Sequence, residues 1–287
     1  MTDNQGVVAF QGEPGAYSHQ ACSEVFPDHV ALPCRTFEGT VAAVKEGRAR
    51  YAMLPVENST YGRVADIHHM LPESGLAIVG EHFVRVNINL LGVPGARLAD
   101  VKRAMSHTVL LGQCRGFLTE HGIERVTGAD TAGSAQTVAR TADRSLAALA
   151  SEKAGEIYGL KLLARHVEDN HDNATRFFVM AAEAKSPPPA EDMMTSFVFR
   201  VRNIPAALYK AMGGFATNGV NMVKLESYML DGSFTATQFF ADIEGHPDQP
   251  PVRRAMEELE YFTSYLHVLG VYPAHEFRKE AVARPKA

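Results

Sequence analysis

An amide, a hydroxyl and a guanidinium lie within four positions of one another, at Asn173, Thr175 and Arg176, just before the apolar run 177–181. Polar groups at the entry of a strand are held rigidly. Arg176 offers a planar fork that suits a carboxylate, and the other two side chains can exchange hydrogen bonds with ligand oxygens. The stretch therefore fits recognition of a small oxygen-rich anion. It also fits a loop that closes onto a strand, with Arg176 paired to an internal carboxylate, and these residues alone favour that second interpretation.

The composition limits what kind of protein carries this stretch. A chain of 287 residues with 46% hydrophobic and 21% charged residues predicts an ordinary folded protein of two domains. The net charge of −5 and the lack of long basic runs argue against a nucleic-acid partner. Apolar runs stay well short of the roughly 20 residues that span a bilayer, and the polar N-terminus lacks signal-peptide features. We expect a cytoplasmic protein without a membrane partner.

The cysteines and histidines indicate neither a disulfide framework nor a metal site. The three cysteines, Cys22, Cys34 and Cys114, are odd in number and lack a C-x-x-C spacing. His166 and His171 flank two acidic residues, but their spacing defines no helix or loop geometry that would hold a metal. We therefore predict no metal and buried thiols in a reducing compartment.

The first lobe is predicted from alternating strand and helix patterns. Strand 7–10 runs into a glycine turn and a helix that starts near Ser18, an arrangement that points free backbone N–H groups at an anion. The turn lacks the Walker lysine, so a carboxylate suits it better than a nucleotide phosphate; a tight βα turn without a ligand is the alternative. Strand 51–56 ends at Glu57, Asn58 and Ser59, and ligands of parallel sheets bind beyond such strand ends.

A second lobe follows a long extended run, 83–93, that leads out of the first sheet. Strand 101–104, helix 110–121, strand 124–127, helix 131–141, strand 146–150 and helix 151–158 continue the alternation. Two such lobes leave a cleft between them. Ser106 follows a strand and Gln113 lies in the next helix, so we expect both to line the cleft.

The proline-rich segment 184–190 is the clearest domain boundary. Beyond it the pattern predicts strand 195–201, helix 205–215, strand 222–230, strand 234–243, helix 251–262 and strand 265–271. Asp231 and Gly232 predict a tight hairpin. The order βαββαβ is ferredoxin-like. Residues after Pro273 are expected to form a mobile tail.

Taken in order, several motifs resemble the prephenate dehydratase family: segments 12–18, 57–59, 106–107, 113–114, 148–150, 158–160 and 173–177. The likeness extends from residue 7 to about residue 272. It implies an α/β fold: a two-lobed type II periplasmic-binding-protein-like catalytic domain plus an α+β ferredoxin-like ACT domain. It implies the conversion of prephenate to phenylpyruvate, carbon dioxide and water on the route to phenylalanine. Formation of an aromatic ring drives that reaction, so no cofactor is expected.

The resemblance also suggests roles for individual residues. Thr175 assists the departing hydroxyl, and because a threonine is too weak an acid for plain general-acid catalysis, we expect a positioned donor. Arg176 binds a carboxylate. The remaining residues fall into two groups: Asn58, Ser106 and Gln113 orient the substrate, while Tyr17, Ser18, Ser59 and Phe177 line its pocket.

The chain departs from the family pattern at one place in the catalytic part and at two in the C-terminal part. The family often has a histidine in the strand that matches 87–89, and this chain has none there. Its Gly-Ala-Leu pattern stands here as Ala206, Ala207 and Leu208, and its Glu-Ser-Arg-Pro pattern ends here in Tyr228 and Met229. In relatives, these segments bind phenylalanine between paired ACT domains. Because this chain departs from both patterns, the resemblance supports catalysis better than feedback inhibition. We expect an amino-acid site between subunits, formed by Ala207, Leu208, Asn218, Asn221, Glu226 and Ser227, in a homodimer or homotetramer.

We therefore predict a catalytic domain at 1–184, a linker at 185–192, an ACT domain at 193–274 and a tail at 275–287. Two other functions remain open. An arogenate dehydratase would act on a substrate with an amine in place of the ketone, and the sequence does not separate the two. A non-catalytic amino-acid-sensing binding protein would keep the cleft without the chemistry; Thr175 beside Arg176 argues against it, because a binder needs the cation more than the hydroxyl.

Overall fold

A computed structural model describes residues 6–184, 186–230 and 236–279. The chain divides into two compact units. The first comprises Met1–Val64 and Phe83–Phe177, and the second comprises Ala65–His82 and Phe178–Ala287. The chain thus crosses between the units after Val64, after His82 and after Phe177, and the proline-rich segment 184–190 lies within the second unit.

The first lobe of the first unit is the predicted parallel sheet. Strand β1 pairs in parallel with β2 on one side and with β3 on the other, and β3 pairs antiparallel with the short β4. The elements are β1 (Val7–Gln11), α1 (Tyr17–Val25), β2 (Val30–Cys34), α2 (Phe37–Lys45), β3 (Tyr51–Asn58) and β4 (Gly62–Arg63). Thr36 begins α2 by accepting a hydrogen bond from the N–H of Gly39. Apolar residues of β1 and β3 are buried, so both strands lie in the core of this lobe.

Two strands and a short helix link the units along the chain: α3 (Ala65–Met70), β5 (Ala77–Arg85) and β11 (Ala174–Ala181). The extended run predicted for 83–93 is interrupted between β5 and the next strand. Val86 donates its N–H to the carbonyl of Asn173, and Ile88 donates to the carboxylate of Glu168. These bonds replace ladder pairing, so the run bends where the chain enters the second lobe.

The second lobe has its own five-stranded sheet. Its order is β10, β6, β9, β7, β8, with β7 parallel to both neighbours and β6 antiparallel to both of its neighbours. The elements are β6 (Asn89–Gly92), β7 (Arg103–Ser106), α4 (Thr108–Gln113), α5 (Arg115–Glu120), β8 (Glu124–Thr127), α6 (Thr131–Thr141), β9 (Leu146–Ala150), α7 (Glu152–Tyr158) and β10 (Lys161–Ala164). Strand β9, the central strand of this sheet, is antiparallel to β6 and parallel to β7, and it is buried along its whole length.

The single helix predicted for 110–121 is wrong: it is two helices that meet at Cys114. The carbonyl of Gln113 accepts the N–H of Asp169 at 2.7 Å instead of a helical donor. The carboxylate of Asp169 in turn accepts the N–H of Gly116 at 3.0 Å, in the first turn of α5. Asp169 thus ends one helix and caps the next from a distant segment, which local periodicity could not reveal.

The second unit contains the predicted βαββαβ order. The elements are β12 (Met193–Val201), α8 (Ala207–Thr217), β13 (Met222–Met229), β14 (Ala236–Glu244), α9 (Pro250–Phe262) and β15 (Thr263–Pro273). The strands pair antiparallel in the order β13, β14, β12, β15, and Gly270 of β15 pairs in parallel with Ile78 of β5. Helices α8 and α9 cover a core rich in phenylalanine. The predicted hairpin at Asp231 and Gly232 lies outside the described residues.

The expectation of a mobile tail after Pro273 is wrong for its first residues. The buried carboxylate of Glu81 accepts the N–H of His275 at 3.0 Å and two N–H groups of Arg278 at 2.6 and 2.8 Å. Lys279 pairs with Asp192 at 2.6 Å. Ion pairs therefore hold 275–279 on the second unit. Across the described residues, we find no helix with the length and hydropathy needed to cross a bilayer.

Candidate active site

Asn58, the last residue of β3, contacts the entry of β11. Its amide nitrogen donates to Asn173 Oδ1 at 2.7 Å, to Thr175 Oγ1 at 3.1 Å and to the carbonyl of Ala174 at 3.3 Å. The sequence places these residues more than a hundred positions apart, yet the ends of two strands bring them together. Three of the predicted chemistry-bearing groups thus share one hydrogen-bond network.

The orientation of the Asn58 amide is fixed by the backbone. Its Oδ1 accepts the N–H groups of Thr60 and Tyr61, both at 3.0 Å. Since backbone N–H groups only donate, the nitrogen of this amide must face Thr175. Thr175 Oγ1 therefore accepts a hydrogen bond from Asn58, and its own proton is left to point elsewhere. Thr175 is half-buried, and its hydroxyl is oriented to donate to an acceptor other than Asn58.

Ser59 ties the same two strand ends together. The Ser59 hydroxyl donates to the carbonyl of Asp172 at 3.1 Å and accepts the N–H of Ala174 at 2.9 Å. The backbone N–H of Ser59 donates to the carbonyl of Ala174 at 2.9 Å. These bonds fix the loop that precedes Thr175. The predicted contact of Ser59 with a substrate carboxylate stays a prediction.

Arg176 is paired with an internal carboxylate. Its guanidinium donates to Glu57 Oε1 at 2.9 Å, and its side chain is only 2% exposed. Successive side chains of a strand point to opposite faces, so Thr175 faces Asn58 while Arg176 faces Glu57. The two groups that the sequence sets side by side are thus directed apart. An internal carboxylate as the partner of Arg176 is the interpretation that the stretch around Asn173, Thr175 and Arg176 favours by itself. Binding of a substrate carboxylate by Arg176 stays a prediction. Phe177 is 1% exposed and lies in the core.

The first glycine turn is attached to the second lobe. Ser151 Oγ donates to the carbonyl of Gly15 at 2.6 Å, and the hydroxyl of Tyr158 donates to that of Pro14 at 2.9 Å. Gly15 has φ +94°, and a Cβ there would lie 2.7 Å from the backbone of Ala154. Glycine is required at this position because the turn and α7 are in direct contact.

The two candidates that follow the turn, Tyr17 and Ser18, are largely buried. The hydroxyl of Tyr17 donates to the carbonyl of Asn87 at 3.0 Å. Burial, with smaller contributions from Cys114 and Glu168, raises the pKa of Tyr17 well above its usual value. Tyr17 is therefore a neutral donor whose proton is already engaged. Ser18 lies in the first turn of α1, whose N-cap makes no side-chain hydrogen bond, and its role at a carboxylate stays a prediction.

The second lobe supplies Ser106 and Gln113. Ser106 is fully buried, and its hydroxyl donates to the carbonyl of Leu149 at 2.7 Å, which joins β7 to β9. Gln113 ends α4, and its buried Oε1 accepts no hydrogen bond from any residue that the structure describes. Buried polar atoms are rarely unpaired without a ligand or water to satisfy them. Gln113 is thus available to a ligand donor, whereas the Ser106 hydroxyl already has an internal partner.

The sequence indicates Asn173 and Glu57 as polar residues at strand ends but assigns neither a role in the site, and it gives no role to Glu168. Glu57 is the partner of Arg176, and the signal for it was its place beside Asn58 at the end of a strand. Glu168 is buried and accepts the N–H of Ile88 at 2.8 Å, with His171 Nδ1 at 3.4 Å. Among the described residues, no group of three histidine, cysteine or acidic side chains is arranged to hold a metal ion.

The six effector candidates of the second unit are spread over the length of α8 and along β13. Ala207 and Leu208, in the first turn of α8, line a surface cavity of about 270 Å³. Asn218 ends the same helix, about 16 Å away by helical rise. Its amide donates to Gly214 and Glu258 and accepts from Arg254, so its hydrogen-bonding capacity is occupied within the chain.

The other effector candidates lie on or beside β13. Glu226 pairs with Lys224 at 3.3 Å, and Ser227 lies next to it on the strand. Asn221 precedes the strand and accepts the N–H of Glu244 through its carbonyl. Because Ala207 and Leu208 lie at one end of α8 and Asn218 at the other, the joint role of the six residues stays a prediction about an assembly.

Comparison with known proteins agrees with this architecture. A family model described as prephenate dehydratase matches residues 8–185. A bifunctional N-acyl-homoserine lactone acylase/prephenate dehydratase of Komagataeibacter europaeus is 52% identical over 279 residues, which are 97% of this chain and 99% of that protein. Arogenate dehydratase/prephenate dehydratase 1 of Arabidopsis thaliana is 36% identical over 285 residues, covering 94% of this chain and 73% of that protein.

A solved structure has the same fold. Prephenate dehydratase of Arthrobacter aurescens, determined in complex with L-Phe, superposes with a TM-score of 0.86 at 28% identity and covers 98% of this chain and 92% of its own. The predicted fold class is thereby confirmed. With the match of the family model over more than half of its length, the chain belongs to the prephenate dehydratase family.

Proposed function

We propose that the protein converts prephenate to phenylpyruvate. The ring carboxylate leaves as carbon dioxide, its bonding electrons enter the ring, and the ring hydroxyl leaves as water after it gains a proton. Aromatisation supplies the driving force, so the residues need to hold the dianion and assist the departing oxygen. The observation that supports this assignment best is the hydrogen bond from Asn58 to Thr175 Oγ1.

That hydrogen bond directs the threonine proton. Because Oγ1 accepts from Asn58, its O–H donates outward, toward a bound oxygen. A donor aimed at developing negative charge stabilises the transition state more than the ground state, and removal of one such donor typically costs about 10²–10³ in kcat. Thr175 therefore acts by hydrogen bonding to the leaving oxygen, and Asn58 holds it in place. Gln113, whose buried Oε1 accepts no hydrogen bond within the described part of the chain, is the second candidate for a substrate contact.

For the carboxylates we infer two recognition groups: Arg176, and the start of α1 with Tyr17 and Ser18. The ion pair between Arg176 and Glu57 weakens the first assignment, since a guanidinium already neutralised by a carboxylate attracts an anion less. The uncapped N-terminus of α1 supports the second. Three further residues act indirectly, by holding backbone segments of the site in place. Ser59 holds the loop before Thr175, Ser106 joins β7 to β9, and Phe177 anchors β11 in the core.

The direct test is turnover by the wild-type protein. Purified protein is incubated with prephenate at pH 8, where spontaneous acid-catalysed loss of the substrate is slow, and phenylpyruvate is followed by its absorbance in alkali. We expect enzyme-dependent product at a rate proportional to protein concentration. Prephenate that persists unchanged while phenylpyruvate does not form would contradict the proposal and favour the non-catalytic binding protein.

Arogenate is the alternative substrate of the same site. The Arabidopsis relative carries both activities in its name, and the Thr175 hydroxyl contacts the ring hydroxyl of the substrate, which the two acids share. Parallel assays that measure phenylpyruvate from prephenate and phenylalanine from arogenate give the ratio of kcat/KM. We expect this ratio to favour prephenate, and a ratio below one would reassign the substrate.

N-acyl-homoserine lactone acylase is a second candidate activity, because the Komagataeibacter relative of 52% identity is named for both reactions. The reaction would hydrolyse an amide to a fatty acid and homoserine lactone. Mass spectrometry of wild type and Thr175→Ala with a long-chain acyl lactone tests it. Equal release of free lactone by both proteins would indicate an acylase that does not use Thr175, and no release would exclude the activity for that substrate.

For the layout of the chain we infer a catalytic domain at 1–184, a linker at 185–192 and an ACT regulatory domain at 193–274. L-phenylalanine is the proposed effector, in a homodimer or homotetramer. The complex of the Arthrobacter protein with L-Phe supports that choice. Calorimetric titration with phenylalanine tests this proposal, with tyrosine as the matched control amino acid. Absence of binding heat with phenylalanine would contradict its role as effector.

A cytoplasmic location likewise stays a prediction.

A further inference from the structure

The side chain of Asn173 has one half of its amide paired and the other half unpaired. It is 2% exposed, and its Oδ1 accepts from Asn58 Nδ2 at 2.7 Å. Its Nδ2 is buried and makes no hydrogen bond with any of the residues that the structure describes. Its carbonyl accepts the N–H of Val86, which holds the backbone in place. Asn173 is thus rigid, buried and incompletely satisfied.

The unpaired atom is a donor, not an acceptor. The backbone N–H groups of Thr60 and Tyr61 fix Asn58 with its nitrogen toward Asn173. A flipped Asn173 would set one NH₂ group against another, so its oxygen must face Asn58 and its NH₂ must face away. A buried N–H without an acceptor is costly, because the group has lost water and gained nothing.

Thr175 and Asn173 are held by the same nitrogen of Asn58. Asn173 Oδ1 and Thr175 Oγ1 therefore lie beside one another at the entry of β11. Each side chain has a donor besides, the Thr175 O–H and the buried Asn173 Nδ2. Amide donors favour carboxylate oxygens, since a charged acceptor strengthens the bond.

We propose that Asn173 is a substrate-binding residue: its Nδ2 donates to the side-chain carboxylate of the substrate, which phenylpyruvate retains, while its Oδ1 positions Asn58 and, through it, Thr175. This assignment rests on the proposed function. It gives the carboxylate a recognition group that is independent of Arg176. The two ends of the Asn173 amide then have different roles: Nδ2 contributes to substrate binding, and Oδ1 contributes to turnover by positioning Asn58.

Asn173→Asp separates the two halves. The aspartate keeps an acceptor for Asn58 but replaces the donor by an acceptor and adds a negative charge. We expect at least a tenfold rise in KM for prephenate with a smaller change in kcat. Asn173→Ala removes both halves and is expected to lower kcat as well. The matched control is Asn170→Asp, which adds the same charge in the same loop at an exposed asparagine whose Oδ1 already serves as an acceptor; its kinetics should stay within twofold of wild type.

A pH profile distinguishes substrate binding from a merely structural role. Protonation of the introduced aspartate restores a donor at the position of Nδ2, so kcat/KM of Asn173→Asp relative to wild type should recover as pH falls. Circular dichroism and thermal unfolding verify that each variant is folded. A folded Asn173→Asp with kcat/KM within twofold of wild type at pH 8 would overturn the proposal.

Binding of phenylpyruvate provides a readout that does not depend on turnover. In calorimetric titration, we expect the wild type and Asn170→Asp to bind this carboxylate and Asn173→Asp to bind it at least tenfold more weakly. If the wild type binds phenylpyruvate at least tenfold more tightly than Asn173→Asp but fails to turn over prephenate, the proposed function is overturned and the role of Asn173 in binding is supported. Equal binding by wild type and Asn173→Asp, or no binding by wild type, would overturn the inference itself.

Discussion

Arg176 shows how strand geometry decides the role of a single residue. In the sequence it adjoins Thr175, and the pair suggests one anion site. On β11 the two side chains point to opposite faces, and Arg176 is paired with Glu57 at 2.9 Å. The sequence predicts that Arg176 lies at the entry of a strand. It does not predict that its partner is Glu57, because Glu57 lies on another strand and only the fold brings the two together.

A stability measurement separates the two roles of Arg176. Arg176→Ala removes the buried guanidinium that contacts the Glu57 carboxylate at 2.9 Å, and the free energy of unfolding should fall by about 3 kcal/mol. This is the low end for buried ion pairs, because the side chain of Glu57 is 26% exposed. Urea unfolding gives the value.

Glu57→Gln is the matched control, since it removes the charge but keeps an acceptor, and we expect a smaller loss. A folded Arg176→Ala with unchanged stability and a strongly raised KM for prephenate would instead make Arg176 a substrate ligand.

At the scale of elements, the contact between the first glycine turn and α7 is the tightest constraint that we find on the lobes. Gly15→Ala places a Cβ 2.7 Å from backbone atoms at φ +94°. The residue or α7 must shift, and Ser151 and Tyr158 lose their aligned carbonyl acceptors. We expect a loss of more than about 2 kcal/mol, measured by urea unfolding.

Gly122→Ala is the control for this substitution, because Gly122 has φ +62° with open space around its Cβ position. Only the left-handed backbone is then penalised, at about 1 kcal/mol. Equal losses for the two variants would show that the contact with α7 contributes nothing.

The elements themselves could largely be predicted, and their interruptions could not. The βαβ alternation and the βαββαβ order follow from hydrophobic periodicity and turn residues. The division of the helix at Cys114 depends on Asp169, which binds both Gln113 and Gly116 from more than fifty residues away. Likewise, Glu81 fixes Arg278 and so orders residues expected to be mobile. Such long-range polar contacts leave no periodic signal.

For the whole molecule, buried thiols predict how stability depends on pH. Burial raises the pKa of Cys22 to about 12 and that of Cys114 above its usual value. The unfolded chain releases these protons near pH 9, whereas the folded chain retains them. Stability from this source is complete below pH 9 and is lost as pH rises through 12.

Urea unfolding at a series of pH values tests this prediction. The wild type should lose stability above pH 9 more steeply than Cys22→Ala, which lacks one of the retained protons. Both proteins contain the same lysines and tyrosines, so the difference between their slopes isolates the thiol. Parallel slopes would contradict the burial of Cys22.

We propose above all that the Thr175 hydroxyl, held by Asn58, assists the leaving oxygen of prephenate. The most direct measurement is kcat for phenylpyruvate formation by Thr175→Ala beside the wild type. Loss of the donor should raise the barrier by about 2–4 kcal/mol, a fall in kcat of roughly 30-fold to 900-fold, with little change in KM. A folded Thr175→Ala that turns over prephenate at the wild-type kcat would contradict it.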